Sequence, residues 1–168
     1  MYFDSHCHLD RIDLDDFNND FNQLLKTIEQ DDVTRMLCIG VNLESFDAMH
    51  QCISAYQHIY CTAGVHPDYE EVREPRIEEL CKLAEHDKVV AIGETGLDYF
   101  HQSGDLDWQR NRFVIHIEAA RECGLPLVIH TRDAREDTLA LLRQHRAQEV
   151  GGVLHCFTED WEMARAAI

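Results

Sequence analysis

The sequence predicts an α/β protein built as a (β/α)8 TIM-type barrel, of which about six βα units are present in one domain spanning 1–168. Three observations carry this. Short apolar runs alternate with helical stripes. The centres of the runs recur every 25 to 37 residues, one βα unit each. A metal-ligand type of residue follows nearly every run.

The runs are Met1-Tyr2-Phe3 leading into Asp4-Ser5-His6, then Arg35–Gly40, Ile59–Val65, Val89–Gly93, Leu125–Ile129 and Gly152–Leu154. Each is too short for a helix and rich in β-branched or apolar residues, the signature of a parallel strand buried on both faces. Between them Phe17, Phe21, Leu24, Leu25 and Ile28 share one helical face, as do Ile77, Leu80, Leu83 and Ala84. Phe113, Ile117, Ala120 and Cys123 form another stripe, ended by Gly124 as a C-cap. Asp137-Thr138 opens a helix through Leu139, Leu141 and Leu142, and Trp161 begins a sixth. Strict alternation of strand and helix implies a parallel sheet with right-handed crossovers. The first strand is followed by neither GxGxxG nor a P-loop, which disfavours an open nucleotide-binding sheet. A complete eight-unit barrel at this spacing takes roughly 250 residues.

Composition narrows the function. The chain carries 15 Lys+Arg against 32 Asp+Glu, a net charge of −17. That excludes nucleic-acid binding through a broad basic surface, but not a nuclease whose metal ions supply positive charge locally. The excess is concentrated in residues 1–100, so an anionic substrate is expected against the second half. No apolar run reaches the roughly 20 residues of a membrane helix. The seven cysteines form no CxxC and, without an export signal, read as reduced cytoplasmic thiols. Cys7 and Cys156 each adjoin a candidate ligand.

The polar residues at the strand ends define the chemistry. His6 and His8 follow the first strand, His66 the third, Glu94 the fourth, His130 the fifth and His155 the sixth. In a parallel barrel these ends share the rim that holds the active site. Residues i and i+2 of a strand face one side, so His6 and His8 can share an ion. Asp4 and Asp10 are candidate partners for their ring N–H groups. Glu94, behind an apolar strand and between glycines, needs cations to be buried there, and a carboxylate can bridge two ions. His66 reads as a substrate contact or a structural residue. Arg132 and Arg135 suit a phosphate-bearing substrate or a helix surface. Tyr99 and Phe100 either stack on a base or pack their loop. The histidines at 50, 58, 86, 101, 116 and 145 are expected to be solvated.

FDSHCHLD (3–10), AGVHP (63–67), AIGETGLDY (91–99), LPLVIHTRDA (125–134) and GVLHCF (152–157) resemble, in the same order, the signatures of TatD-type metal-dependent deoxyribonucleases of the metallo-hydrolase barrel superfamily. The resemblance implies a cytoplasmic hydrolase of DNA phosphodiester bonds acting on single strands or 3′ ends. It implies two divalent ions, Mg²⁺, Mn²⁺ or Zn²⁺. His6 and His8 would hold one, His130 and His155 the other, and Glu94 would bridge them as the catalytic carboxylate. The same family pattern closes with a Thr-Asp-Ser-Pro-like segment that supplies an acid. Ile168 precedes any such segment, so the 168-residue chain alone is expected to be marginal in stability and weakly active. An acid from within the chain, Asp98 first, is the alternative.

Two rivals stand beside this reading. One is an amidohydrolase or esterase acting on a small molecule or on aminoacyl-tRNA. Many such enzymes bridge their metals with a modified lysine at the end of the fourth strand, where this chain has Glu94. The other is an inactive metal-binding fragment.

Overall fold

The computed structural model describes residues 1–168. Six strands, β1 (Tyr2–Cys7), β2 (Val33–Cys38), β3 (Ile59–Ala63), β4 (Val89–Asp98), β5 (Leu127–Arg132) and β6 (Gly152–Leu154), form a single sheet in chain order. Every neighbouring pair is parallel. The intervening helices are α1 (Phe21–Gln30), α2 (Phe46–Ile53), α3 (Ile77–Ala84), α4 (Asp107–Cys123), α5 (Arg135–Gln144) and α6 (Trp161–Ala167). This is the expected α/β barrel architecture with six units. No helix is long and apolar enough to cross a membrane.

Strand periodicity explains why both faces of the sheet are apolar. Met36 and Cys38 of β2 pack outward with Phe46, Met49 and Ile53 of α2. The alternate residues Leu37 and Ile39 pack with Ala91 and Val128 in a cluster that contains no helical residue. Opposite faces of one strand thus serve two cores. A third cluster joins Ile92 and Leu97 of β4 and Leu127 and Ile129 of β5 to Phe113, Ile117 and Ala120 of α4. Gly124 caps α4 at φ +67°, its N–H reaching the carbonyl of Ala120.

Several boundaries move from the sequence expectation. The first helical stripe began at Phe17, but Phe17 closes a separate 3-10 turn, Asp15–Phe17. Asn18 and Asn19 then take positive φ, and the Asp20 side chain caps α1 by accepting the N–H of Asn22. Helix α5 starts at Arg135, two residues before Asp137. Strand β5 starts after Pro126, which has no N–H to give the ladder.

The largest shift is in β4. It was expected to stop at Gly93 but continues to Asp98, because Thr95, Gly96, Leu97 and Asp98 pair with Ile129, His130, Thr131 and Arg132. Gly96 makes this approach feasible. It has φ +137°, and a Cβ there would sit 2.0 Å from the His130 carbonyl oxygen. Glu94 therefore lies inside β4 rather than after it. His6 and His130 likewise lie inside β1 and β5, while His8, His66 and His155 stand beyond their strands.

Candidate metal centre

Glu94 organises the site. Its main-chain N–H donates to the carbonyl of Gly40 at 2.9 Å, which fixes it opposite the end of β2. The residue is 3% exposed. Its Oε2 lies 3.2 Å from His6 Nε2. Its Oε1 lies 3.6 Å from His66 Nε2, 3.5 Å from His130 Nδ1 and 3.8 Å from His155 Nε2. Burial by itself would raise the Glu94 carboxyl. The surrounding imidazoles, His130 and His6 first, outweigh it and hold the group far below the usual carboxylate range.

Two sets of donor atoms converge there, His6–Glu94–His155 and His66–Glu94–His130. His8 stands outside both. Its ring centroid is 5.3 Å from that of His6. The four imidazoles around Glu94 come from β1, β5 and the residues after β3 and β6, so the curl of the sheet assembles them.

Hydrogen bonding decides which ring nitrogen is available. Asp98 Oδ2 lies 2.8 Å from His130 Nε2, and a carboxylate can only accept. His130 therefore carries its proton on Nε2, and its Nδ1 lone pair faces His66 Nε2 at 3.2 Å and Glu94 at 3.5 Å. His8 Nδ1 faces the carbonyl of Ile39 at 3.3 Å, leaving Nε2 free. His66 is different. Its Nδ1 accepts the N–H of Asp68 at 3.2 Å, so the neutral ring is a donor at Nε2. Burial pushes its imidazole down to about 4. His66 thus presents a donor, Nε2–H, to His130 Nδ1 at 3.2 Å rather than a lone pair.

The residues fit divalent cations. Imidazole nitrogens and a buried carboxylate are a suitable donor set. His6 Nδ1 is buried without any partner in the chain. A carboxylate facing several rings is best neutralised by cations. Lys88, the nearest lysine to β4, donates to the carbonyls of Tyr56 and Ile59 at the far end of the strands, so it is no bridging ligand. Cys7 hydrogen-bonds the carbonyl of Leu37, and burial pushes its thiol well up, so it remains protonated.

Other candidates are placed as follows. Tyr99 donates to Asp137 Oδ2 at 2.6 Å and accepts from Arg110 at 2.9 Å, which ties its hydroxyl to α4 and α5. Phe100 is 59% exposed, with the Arg132 guanidinium 4.9 Å from its ring centroid. Arg135 pairs with Asp160, the cap of α6. Asp4 accepts the main-chain N–H of His6, and Asp10 accepts from Cys38, so neither reaches an imidazole as expected. His116 was expected in solvent but is fully buried, accepting the N–H of Val65 at Nε2. His101 is exposed as expected, and its Nδ1 lies 2.9 Å from Asp98.

Two neighbours of the site were read incompletely from the sequence. Asp98 was considered only as a substitute acid, although a spacing of four along a strand puts it on the face of Glu94. Arg112 gave no signal, because an arginine on a helix reads as a solvent residue. It is 1% exposed and donates to the carbonyls of His66 and Tyr69 and to both oxygens of Glu74.

A parallel barrel sheet with a carboxylate and imidazoles gathered at its strand ends has a candidate cation site where barrel enzymes hold their active sites. Residues 3–168 match the family model described as TatD related DNase, and the chain belongs to that family. It is 40% identical over 162 residues to the uncharacterized metal-dependent hydrolase YcfH of Escherichia coli strain K12, covering 96% of this chain and 60% of YcfH. It is 35% identical over 137 residues to the 3′-5′ ssDNA/RNA exonuclease TatD of Escherichia fergusonii, covering 81% and 53%. Among solved structures, the TatD homologue YjjV of Escherichia coli K12 superimposes with a TM-score of 0.85 at 26% identity, covering 99% of this chain and 64% of that one. The chain thus spans about 60% of the length of YcfH.

Proposed function

We propose that this chain carries most of the active site of a nuclease that uses two divalent ions, Mg²⁺, Mn²⁺ or Zn²⁺, to hydrolyse phosphodiester bonds in DNA, from 3′ ends or in single strands. The observation that carries the reading is the placement of Glu94, whose Oε2 faces His6 and whose Oε1 faces His66, His130 and His155. A carboxylate with imidazoles on both oxygens supports a bridging role. The name of the Escherichia fergusonii relative supports a nucleic-acid substrate. A reducing cytoplasm suits the seven free cysteines.

In this reading His6, His8, Glu94, His130 and His155 hold the ions. Bound there, the ions would supply a water-derived nucleophile and neutralise charge on the scissile phosphate. The chain's own residues do the rest. Glu94, held far below the usual carboxylate range, supplies the negative charge. Asp98 holds His130 in the tautomer that turns Nδ1 inward. His66 Nε2–H, which faces His130 Nδ1 at 3.2 Å, would turn to a substrate oxygen once an ion takes that lone pair, and Arg112 fixes the His66 main chain. Arg132 and the exposed Phe100 ring flank the rim beside Asp98, where a base can stack.

The test is cleavage of 5′-labelled single-stranded DNA with Mg²⁺, Mn²⁺ or Zn²⁺ and with chelator. Metal-dependent shortening from the 3′ end supports the proposal. Turnover of small amides or aminoacyl esters with intact DNA would replace it by the hydrolase rival.

A further inference from the structure

A cleft of about 390 Å³ opens onto the site, with His8, His66 and Glu94 among its lining. Two further lining residues, Arg11 and Tyr69, belong to no metal group. Each sits three residues after a site histidine. Arg11 follows His8, and its N–H donates to the His8 carbonyl at 3.0 Å. Tyr69 follows His66, and its N–H donates to the His66 carbonyl at 3.2 Å. The two turns meet across the cleft, where Arg11 Nη1 donates to the Tyr69 hydroxyl at 2.9 Å.

Charge makes this pair informative. Arg11 is the one lysine or arginine lining the cleft, and Asp68 and Glu94 are its carboxylates. In a chain of net charge −17, an entering phosphodiester meets few cations. Arg132 lies over Phe100, and Arg135 is held by Asp160. The Arg11 side chain is 41% exposed, and its ion pair with Asp10 is long, at 3.8 Å. The Tyr69 hydroxyl is the one hydrogen-bond partner of its guanidinium. Tyr69 is anchored from beneath, its carbonyl accepting from Arg112 at 2.7 Å.

We infer that Arg11 is a substrate-binding residue that receives a phosphate of the nucleic-acid strand next to the scissile one, and that Tyr69 is a positioning residue that aims its guanidinium. The inference rests on the phosphodiesterase reading and adds to it the contact that selects a polyanionic strand over a neutral ester. A guanidinium fork matches two phosphate oxygens, and the tyrosine hydroxyl limits the rotamers it must give up on binding.

The experiment compares wild type with R11Q, R11K and Y69F in the presence of Mn²⁺. Binding of a fluorescent single-stranded oligothymidylate with cleavage-resistant phosphorothioate linkages is followed by anisotropy over a salt series. Cleavage of the ordinary oligothymidylate gives KM and kcat. R11Q is expected to weaken binding about tenfold and to flatten the slope of log affinity against log salt by about 0.7, one phosphate contact on a single strand. Its loss falls on KM rather than kcat. R11K, which keeps the charge and leaves the fold undisturbed, is expected to keep the slope and recover part of the affinity. Y69F is expected to keep the slope and raise KM about threefold, one hydrogen bond's worth. R11Q with the wild-type affinity and slope overturns the inference. Wild type that binds or cleaves no oligothymidylate overturns the phosphodiesterase reading instead.

Discussion

His6 and His155 stack face to face, ring centroids 3.4 Å apart and planes 10° from parallel, although they come from opposite edges of the sheet. No strand pairing joins β1 to β6. The curl of the intervening strands brings the rings together, and both present Nε2 to Glu94. Two stacked imidazoles at this distance repel if both are charged. Burial, ahead of the neighbouring charges, holds His155 below the ordinary histidine range.

Removing the carboxylate charge that both rings face should release the cations. Glu94→Gln is expected to weaken Mn²⁺ binding by more than the roughly 10–100-fold that loss of an outer hydrogen-bond partner costs. His8→Ala, outside both donor groups, should weaken it less. Isothermal titration settles this, and two variants that titrate like wild type would remove Glu94 from the centre.

The close approach of β4 to β5 has a sharp requirement. Gly96→Ala drives a Cβ into the His130 carbonyl, 2.0 Å away, at a φ of +137°. It should cost about 3 kcal/mol, the scale of one strained residue, and displace His130. Gly151→Asn, at φ +68° with nothing within 4 Å of its Cβ, should cost less than about 1 kcal/mol. Urea midpoints for the two variants give the comparison, and equal midpoints would show that the contact relaxes freely.

His116 should make stability depend on pH. Its Nδ1 donates to the Arg112 carbonyl at 2.8 Å and its Nε2 accepts the N–H of Val65 at 3.0 Å. The ring must be neutral, and burial pushes it down to about 4. The unfolded chain takes up a proton near 6.5, before the folded one does. Stability from this group is therefore full above 6.5 and falls as the pH drops toward 4. By pH 5 the loss should be about 2 kcal/mol. His116→Gln keeps a donor and an acceptor but cannot titrate, so its urea midpoint should fall less between pH 7.5 and 5. Parallel curves for variant and wild type would assign the acid sensitivity elsewhere.

Arg112→Met should destabilise the turn that carries His66 and Tyr69. Their carbonyls lose a donor, while Glu74, 46% exposed, recovers water. The expected cost is about 2–3 kcal/mol, the scale of hydrogen bonds from a charged donor. Arg112→Lys should not restore it, since one ammonium cannot reach four acceptors on two segments. Denaturant unfolding reads both variants, and a fully stable Arg112→Lys would refute the role of the fork.

The sequence by itself determined the α/β barrel class and most of the residues that gather around Glu94. Both are periodic properties. Apolar runs at βα spacing specify parallel strands, and parallel strands bring their ends to one rim wherever each chain segment falls. His6, Glu94, His130 and His155 were legible because each stands at or near such an end. Only the tertiary structure decided how they group. His155 meets His6 rather than His130 because the curl of the sheet, a property of six twisted strands together, sets the distance between its edges. Tautomers too are tertiary: Asp98, Ile39 and the Asp68 N–H choose which nitrogen each ring offers. Buried polar residues on helices, Arg112 and His116 above all, escaped the sequence pattern, because their partners are carbonyls and N–H groups of loops far away in the chain. The same reason hid the Arg11–Tyr69 pair, whose two turns are joined only when β1 and β3 lie in one sheet.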